Sequence, residues 1–98
     1  MSTSSRSVEA YDRLAKLSAS RDNWHRLRFH HVKASRELRD LSNELTLQGQ
    51  MDEDKARRIS QLDEMCKRER AFAWERIQEL DNQIDTLTAQ LNNGVFND

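Results

Sequence analysis

The sequence predicts an all-α fold, a long antiparallel hairpin of two helices packed as a coiled coil. The chain of 98 residues has no proline and 2 glycines, too few turn residues for a sandwich or a barrel. Apolar residues recur at heptad-like spacing in both halves of the chain, and Gly49 separates those halves. Because one seam between two helices buries little surface, we expect dimerisation to a four-helix bundle, or docking on a partner, to complete the core.

The first predicted helix covers residues 8–48 and follows an N-terminal tail, residues 1–7, that we expect to be disordered. Ser7 is the predicted N-cap, and Glu9 lies in the first turn, where the helix dipole favours an acidic residue. No glycine or proline interrupts this helix. Two heptad positions form its seam, one with Ala10, Leu17, Trp24, His31, Leu38 and Leu45, the other with Arg13, Ser20, Leu27, Ala34, Leu41 and Gln48.

The second predicted helix covers residues 53–93 and follows a turn at residues 49–52. Gly49 supplies a left-handed end for the first helix, and Asp52 is the predicted N-cap of the second. Gly94 ends this helix and leaves a C-terminal tail, residues 94–98. The apolar seam of the second helix consists of Ile59, Leu62, Cys66, Ala73, Ile77, Leu80, Ile84, Leu87 and Leu91.

The two predicted helices have matching lengths, roughly 40 residues or about 60 Å each, and a short turn folds them back most simply as antiparallel partners. A turn centred near residue 50 places position i opposite roughly position 100 minus i. Trp24 then lies opposite Arg76, where a cation–π contact is possible. His31 lies opposite Glu69 as a polar register layer, which is either a pH-sensitive lock or a solvated pair.

The middle of the hairpin carries more apolar side chains than one seam requires. Exposed aromatic residues with arginines between them are typical of protein interfaces. We therefore expect a docking surface here, and the alternative interpretation is the core of a homodimer. The predicted partner-binding residues are Trp24, Phe29, Val32, Phe72 and Trp74.

The same zone is basic, which allows a second interpretation. Basic residues interleaved with aromatic ones are typical of proteins that bind RNA or single-stranded DNA. Acidic residues follow closely, however, and the chain has a formal net charge of -1, so a solvated charged face is the stronger interpretation. The candidate nucleic-acid contacts are Arg21, Arg28, Lys33 and Arg36.

The sequence gives no indication of an enzyme, a cofactor or a metal site. Two glycines cannot build a phosphate-binding loop. His25, His30 and His31 lack the spacing that would put two metal ligands on one helix face. Cys66 is the only cysteine, so no internal disulfide forms. We expect no catalytic activity, no cofactor and no bound metal.

These features predict a non-enzymatic interaction module, a small coiled-coil adaptor, chaperone or inhibitor that docks on a larger protein and also pairs with itself. The alternatives are a small RNA- or DNA-binding regulator acting as a hairpin dimer, and a structural piece of a larger assembly. No apolar segment resembling a signal peptide follows residues 1–7, and the longest apolar run, residues 71–74, is far too short to span a bilayer. We therefore expect a cytoplasmic location, or a host's cytoplasm, and no membrane partner.

Overall fold

A computed structural model describes residues 5–96, and its two helices form the antiparallel hairpin that the sequence predicts. Helix α1 covers Ser5–Leu47 and helix α2 covers Glu53–Asn92. At a rise of 1.5 Å per residue, these helices are about 65 Å and about 60 Å long. They pack side by side along their whole length, which makes the molecule several times longer than it is wide. The predicted fold class, an all-α helical hairpin, is confirmed.

The predicted start of the first helix is wrong, because α1 is already helical at Ser5. Ser7 therefore lies within the helix and is not its N-cap, and residues 5–7 of the predicted tail are helical; residues 1–4 lie outside the described residues. Serine both caps helices and continues them at modest cost, so a serine-rich stretch does not fix where a helix begins. Helix α2 ends at Asn92, one residue before the predicted end, and residues 93–96 form a turn.

The connection between the helices has the two features that the sequence predicts. Gly49 has a φ of 68°, and its N–H donates to the carbonyl oxygen of Thr46, while the N–H of Gln50 donates to that of Leu45. This pair of hydrogen bonds is a Schellman motif. Asp52 is the N-cap of α2, and its side chain accepts a hydrogen bond from the backbone N–H of Lys55 at 2.8 Å. That hydrogen bond lowers the pKa of the Asp52 carboxyl, since it stabilises the charged form.

Contacts between the helices follow the predicted antiparallel register. The guanidinium of Arg76 lies 5.9 Å from the ring centroid of Trp24, so the expected cation–π contact is present. Nearer the chain ends, a guanidinium nitrogen of Arg21 donates to a carboxylate oxygen of Asp81 at 3.2 Å. The two residue numbers add to 100 in the first pair and to 102 in the second, close to the expected value.

Burial is distributed unevenly along the hairpin. We call residues 5–27 and 73–96 the terminal half, and residues 28–72, which include the connection, the turn half. All of the buried apolar residues among those described lie in the terminal half: Ala10, Ala73, Ile77, Leu80 and Leu87. The turn half contains a single buried residue among those described, Ser35, and it is polar.

The two most completely buried residues among those described, Ala73 and Ile77, lie about one turn apart on α2. Ala73 is fully buried, and Ile77 is 1% exposed. A methyl side chain at position 73 lets the two backbones approach closely, and the next turn of α2 then places the branched Ile77 between the helices. This pair of residues anchors the terminal half.

Replacing Ile77 with alanine should destabilise the hairpin more than the same change at Ile59, which is half-buried in the turn half. Deletion of a fully buried isoleucine side chain costs about 2–5 kcal/mol, because it removes apolar contacts and leaves a cavity. Urea denaturation of both variants, followed by circular dichroism, measures the difference. An Ile59→Ala variant that loses as much stability as Ile77→Ala would contradict this account of the core.

Replacing Gly49 with alanine should lower the free energy of unfolding by about 1–2 kcal/mol, the cost of the left-handed conformation for an L-residue. A methyl group at this position meets no atom within 4 Å, so steric overlap adds nothing. Gly49→Asn is the matched control, because asparagine tolerates this conformation better than alanine does. Thermal unfolding measures both variants, and equal losses would mean that the backbone angle is not the cause.

Candidate functional site

Phe72 and Trp74 lie on opposite sides of the hairpin. They flank Ala73, which is fully buried in the helix interface, and successive residues of an α-helix are rotated by about 100°. The two rings therefore project to either side of that interface. The predicted aromatic patch is thus divided between two surfaces of the molecule.

On one side, Phe72 packs against Trp24. The ring centroids lie 5.6 Å apart with the planes at 75°, an edge-to-face arrangement of the kind that aromatic pairs prefer. The guanidinium of Arg76 approaches the same Trp24 ring, which is half-buried. Phe72 remains exposed over about half of its surface. Trp24 therefore contributes to the helix interface, and Phe72 is the member of this pair that is accessible to a partner.

On the other side, Arg28 supports Trp74. The Arg28 guanidinium carbon lies 5.0 Å from the centroid of the Trp74 ring. The Nε atom of Arg28 is buried and has no hydrogen-bond partner among the described residues. Burial of the cation strengthens its attraction to the ring face, because water screens the contact less. Val32, one turn further along α1, is half-buried, and we call Arg28, Val32 and Trp74 the Trp74 face.

Phe29 is the most exposed aromatic side chain among the described residues, at 69% of its surface. It follows Arg28 by one residue and is therefore rotated away from α2, toward the outer side of α1. Val32 lies one turn beyond it, between Phe29 and the interface. Phe29 thus stands beside the Trp74 face and is not part of the hairpin core.

The four candidate nucleic-acid contacts do not share one surface. Arg21 is part-buried and pairs with Asp81 of α2, and Arg28 lies beneath Trp74. Lys33 and Arg36 are exposed. Position 33 is rotated by about 140° from position 28 around α1, so the two cations point in different directions. Arg21 and Arg28 thus contact residues of α2, and only Lys33 and Arg36 extend into water.

His31 and Glu69 are not joined by a hydrogen bond or an ion pair within residues 5–96. Glu69 is exposed, while His31 is half-buried, and its ring lies 5.9 Å from that of His30. His31 and Glu69 therefore do not form the direct contact that the predicted register layer requires. The buried polar residue in this region is Ser35, one turn further along the same stripe of α1.

Ser35 faces Asp63 of α2. The Ser35 hydroxyl is buried, and it makes no hydrogen bond of good geometry with any described residue. Its proximity to the Asp63 carboxyl is nevertheless the main reason why the pKa of that carboxyl lies below its ordinary value. The second cause is Lys67, whose ammonium lies 3.2 Å from the same carboxylate. Sequence reasoning missed this layer, because a serine on an apolar stripe is common and carries no charge pattern.

A shallow groove on the Phe72 side was also missed. It is lined by Ala34, Glu37, Leu38, Leu41, Leu62 and Cys66, and we call these six residues the leucine groove. Every lining residue except Glu37 is apolar. The heptad pattern indicates that these residues approach the seam, but it does not reveal that they leave an open channel between the helices.

Comparison of the chain with protein-family models, with curated proteins and with solved structures finds no match. Within residues 5–96, no three His, Cys, Asp or Glu side chains are placed to hold a metal ion together. Neither helix, over the part of the chain described, is apolar enough along its length to cross a membrane. The candidate site therefore rests on the geometry of the two surfaces on either side of Ala73.

Replacing Asp63 with asparagine should flatten the dependence of stability on acid pH. Because folding lowers the pKa of this carboxyl, its contribution is present above the unfolded pKa and is lost as the pH falls through the folded value. The variant should thus be less stable than the wild type near neutral pH, and the difference should shrink toward about pH 2. Urea titrations across this range measure it. Asp40→Asn is the control at an exposed position, and equal pH profiles for both variants would contradict the role of Asp63.

Proposed function

We propose that the chain is a non-enzymatic interaction module, a helical hairpin that docks on a larger protein as an adaptor, chaperone or inhibitor. Trp74, Phe29 and Val32 form the docking surface, whereas Phe72 and Trp24, the other two predicted partner-binding residues, pack together on the opposite side of the hairpin and are not part of it. The observation that supports this proposal best is the stacking of Arg28 beneath an exposed Trp74.

Trp74 is held in place before any partner arrives. Contact with the Arg28 guanidinium restricts the rotamers of a ring that is otherwise half in water. A preorganised side chain loses less conformational entropy on binding than a mobile one. Tryptophan and arginine are also the residue types that contribute most often to the binding energy of protein interfaces. The pair has the character of an anchor for a pocket on a partner.

Phe29 and Val32 add apolar area beside this anchor. Burial of a phenylalanine side chain that is largely exposed contributes about 1.5–3 kcal/mol to association, before the costs of ordering. The hairpin itself does not cover Phe29, because it lies toward the outer side of α1. A partner that binds across Trp74 is in a position to cover Phe29 as well.

The charges around the Trp74 face favour a partner with an acidic rim. Arg70 lies one turn before Trp74 on α2 and Arg36 lies one turn after Val32 on α1, and neither forms an ion pair within residues 5–96. Unpaired cations at the edge of an apolar patch attract acidic surfaces and raise the association rate. We therefore expect a partner whose binding site combines an apolar pocket with carboxylates.

The geometry gives less support to a nucleic-acid regulator. That function needs Arg21, Arg28, Lys33 and Arg36 on one accessible surface, and the first two of these contact α2. No observation specifically favours a structural piece of a larger assembly. Both functions stay as alternatives to protein docking.

Replacing both Phe29 and Trp74 with serine should abolish partner binding and leave the helices intact. The full chain, immobilised and exposed to an extract of its native host, provides the assay, with bound proteins measured by mass spectrometry. The protein that the wild type enriches should fall at least about tenfold with the variant, since loss of two central anchors costs more than 1.4 kcal/mol.

Tyr11→Ser is the matched control for this experiment. Tyr11 is 59% exposed and lies eighteen residues before Phe29, which is five helical turns and thus the same side of α1. It tests loss of an exposed aromatic ring far from the candidate site. Undiminished capture by the Phe29 and Trp74 variant, or equal loss with Tyr11→Ser, would refute the proposed surface, and circular dichroism checks that helicity survives.

A further inference from the structure

The leucine groove continues into a longer apolar stripe on the same side of the hairpin. Leu27, Ala34 and Leu41 of α1 are spaced by seven residues and thus share one flank of that helix. Leu62, Met65 and Phe72 form the facing flank of α2, at spacings of three and seven residues. Leu41 is 44% exposed and Leu62 is 48% exposed. The stripe therefore presents large apolar side chains to water along most of the turn half.

The stripe lies where the hairpin has no apolar core of its own. Within the described residues, the turn half buries no apolar side chain, whereas the terminal half buries five. The apolar side chains of the turn half are all partly exposed, so this half gains little from folding alone, because apolar stabilisation scales with the area removed from water. Burial of this stripe by another chain supplies the missing core.

We propose that a second copy of this chain covers the stripe, forming a closed dimer of two hairpins packed face to face through the leucine groove. This inference is independent of the docking function, which uses the Trp74 face on the other side. The four helices then form one bundle around the turn half. The Trp74 face stays exposed at the surface of the dimer.

The pattern of the stripe suits a second copy. In a two-fold arrangement with both turns at the same end, α1 of one copy lies against α2 of the other at the same level. Each apolar residue then meets the one it already faces within its own hairpin, so Leu41 meets the second copy's Leu62. An isologous interface requires this kind of self-complementarity.

The size of the face is close to what a stable dimer needs. The turn half is about 30 Å long, and two helices side by side are about 20 Å wide, so one face offers on the order of 600 Å² in projection. The accessible area of a corrugated surface exceeds its projection. Stable interfaces bury about 800 Å² on each partner.

The mass of the full chain in solution tests the proposal. Sedimentation equilibrium over a concentration series should give twice the chain mass of 11.6 kDa, about 23 kDa. A variant with Leu41→Gln and Leu62→Gln should be monomeric under the same conditions. Leu47→Gln is the matched control, since Leu47 is exposed at the end of α1 and off the groove, and it should remain dimeric. Phe29→Ser should also remain dimeric, which separates this test from that of the docking function.

Cys66 provides a second measurement on the unaltered chain, in case the double variant does not fold. It is the only thiol, is half-buried and lines the groove, so a second copy should shield it. Its reaction rate with a small thiol reagent should fall at least about fivefold as the protein concentration rises through the dimerisation range.

Three outcomes would overturn the proposal. The first is a wild-type chain that stays monomeric at all concentrations, which would leave the stripe to a different partner. The second is a dimer in which the Cys66 reaction rate does not change with concentration, or which survives the Leu41 and Leu62 substitutions; its interface would lie elsewhere. The third is open-ended growth with concentration, which would indicate polymerisation.

Discussion

A hairpin of two helices has a single internal interface, and this constraint determines the rest of the structure. Each helix places one narrow stripe against the other, and the residues that flank the stripe remain accessible to water. Only Ala10, Ala73, Ile77, Leu80 and Leu87 are buried apolar residues among those described. In a larger domain, a third layer would cover the flanks. In this chain, the flanks leave apolar area exposed to water.

The choice of side chain at each level determines how far apart the helices lie. At Ala73 a methyl group allows close approach, and the interface there excludes water. At Ser35 the buried residue is polar and faces the Asp63 carboxylate, which keeps a charge and its hydration near the interface. The hairpin thus has a terminal half with a buried apolar core and a more open turn half. Six of the eleven large exposed apolar residues among those described lie in the open part, among them Phe29, Leu41 and Leu62.

The sequence predicts features that depend on local backbone geometry or on the antiparallel register. Gly49 ends α1 with a positive φ, Asp52 caps α2, and Trp24 meets Arg76, each as expected. It does not predict which serine begins α1, because neighbouring serines have the same capping chemistry. The sequence also does not predict correctly that His31 and Glu69 form a direct contact. The register places them at one level, but their direct contact depends on a rotation about each helix axis that heptad spacing leaves free by tens of degrees.

The same freedom explains why the aromatic patch was expected as one surface. Phe72 and Trp74 lie at almost the same level along the axis of α2, and the register rule predicts only that level. Their separation follows from Ala73, because a residue buried at the centre of an interface sends its two neighbours to opposite sides. Exposed apolar area is therefore divided between two chemically different surfaces. The first surface is centred on the Trp74 ring, which packs on the Arg28 guanidinium. The second surface is the leucine groove.

This division determines whether the two proposed partners would compete for so small a chain. A flat cluster of five apolar residues would make a second copy and a different protein compete for the same area. Two surfaces on either side of the buried Ala73 would allow the proposed second copy and the proposed protein partner to bind at once, because covering Phe72 leaves Trp74 free. Coupling between Phe72 and Trp74 would require a rotation of α2 that turns one ring inward as the other turns outward. The close contact at Ala73 and Ile77 opposes such a rotation, so occupation of one surface should have little effect on affinity at the other.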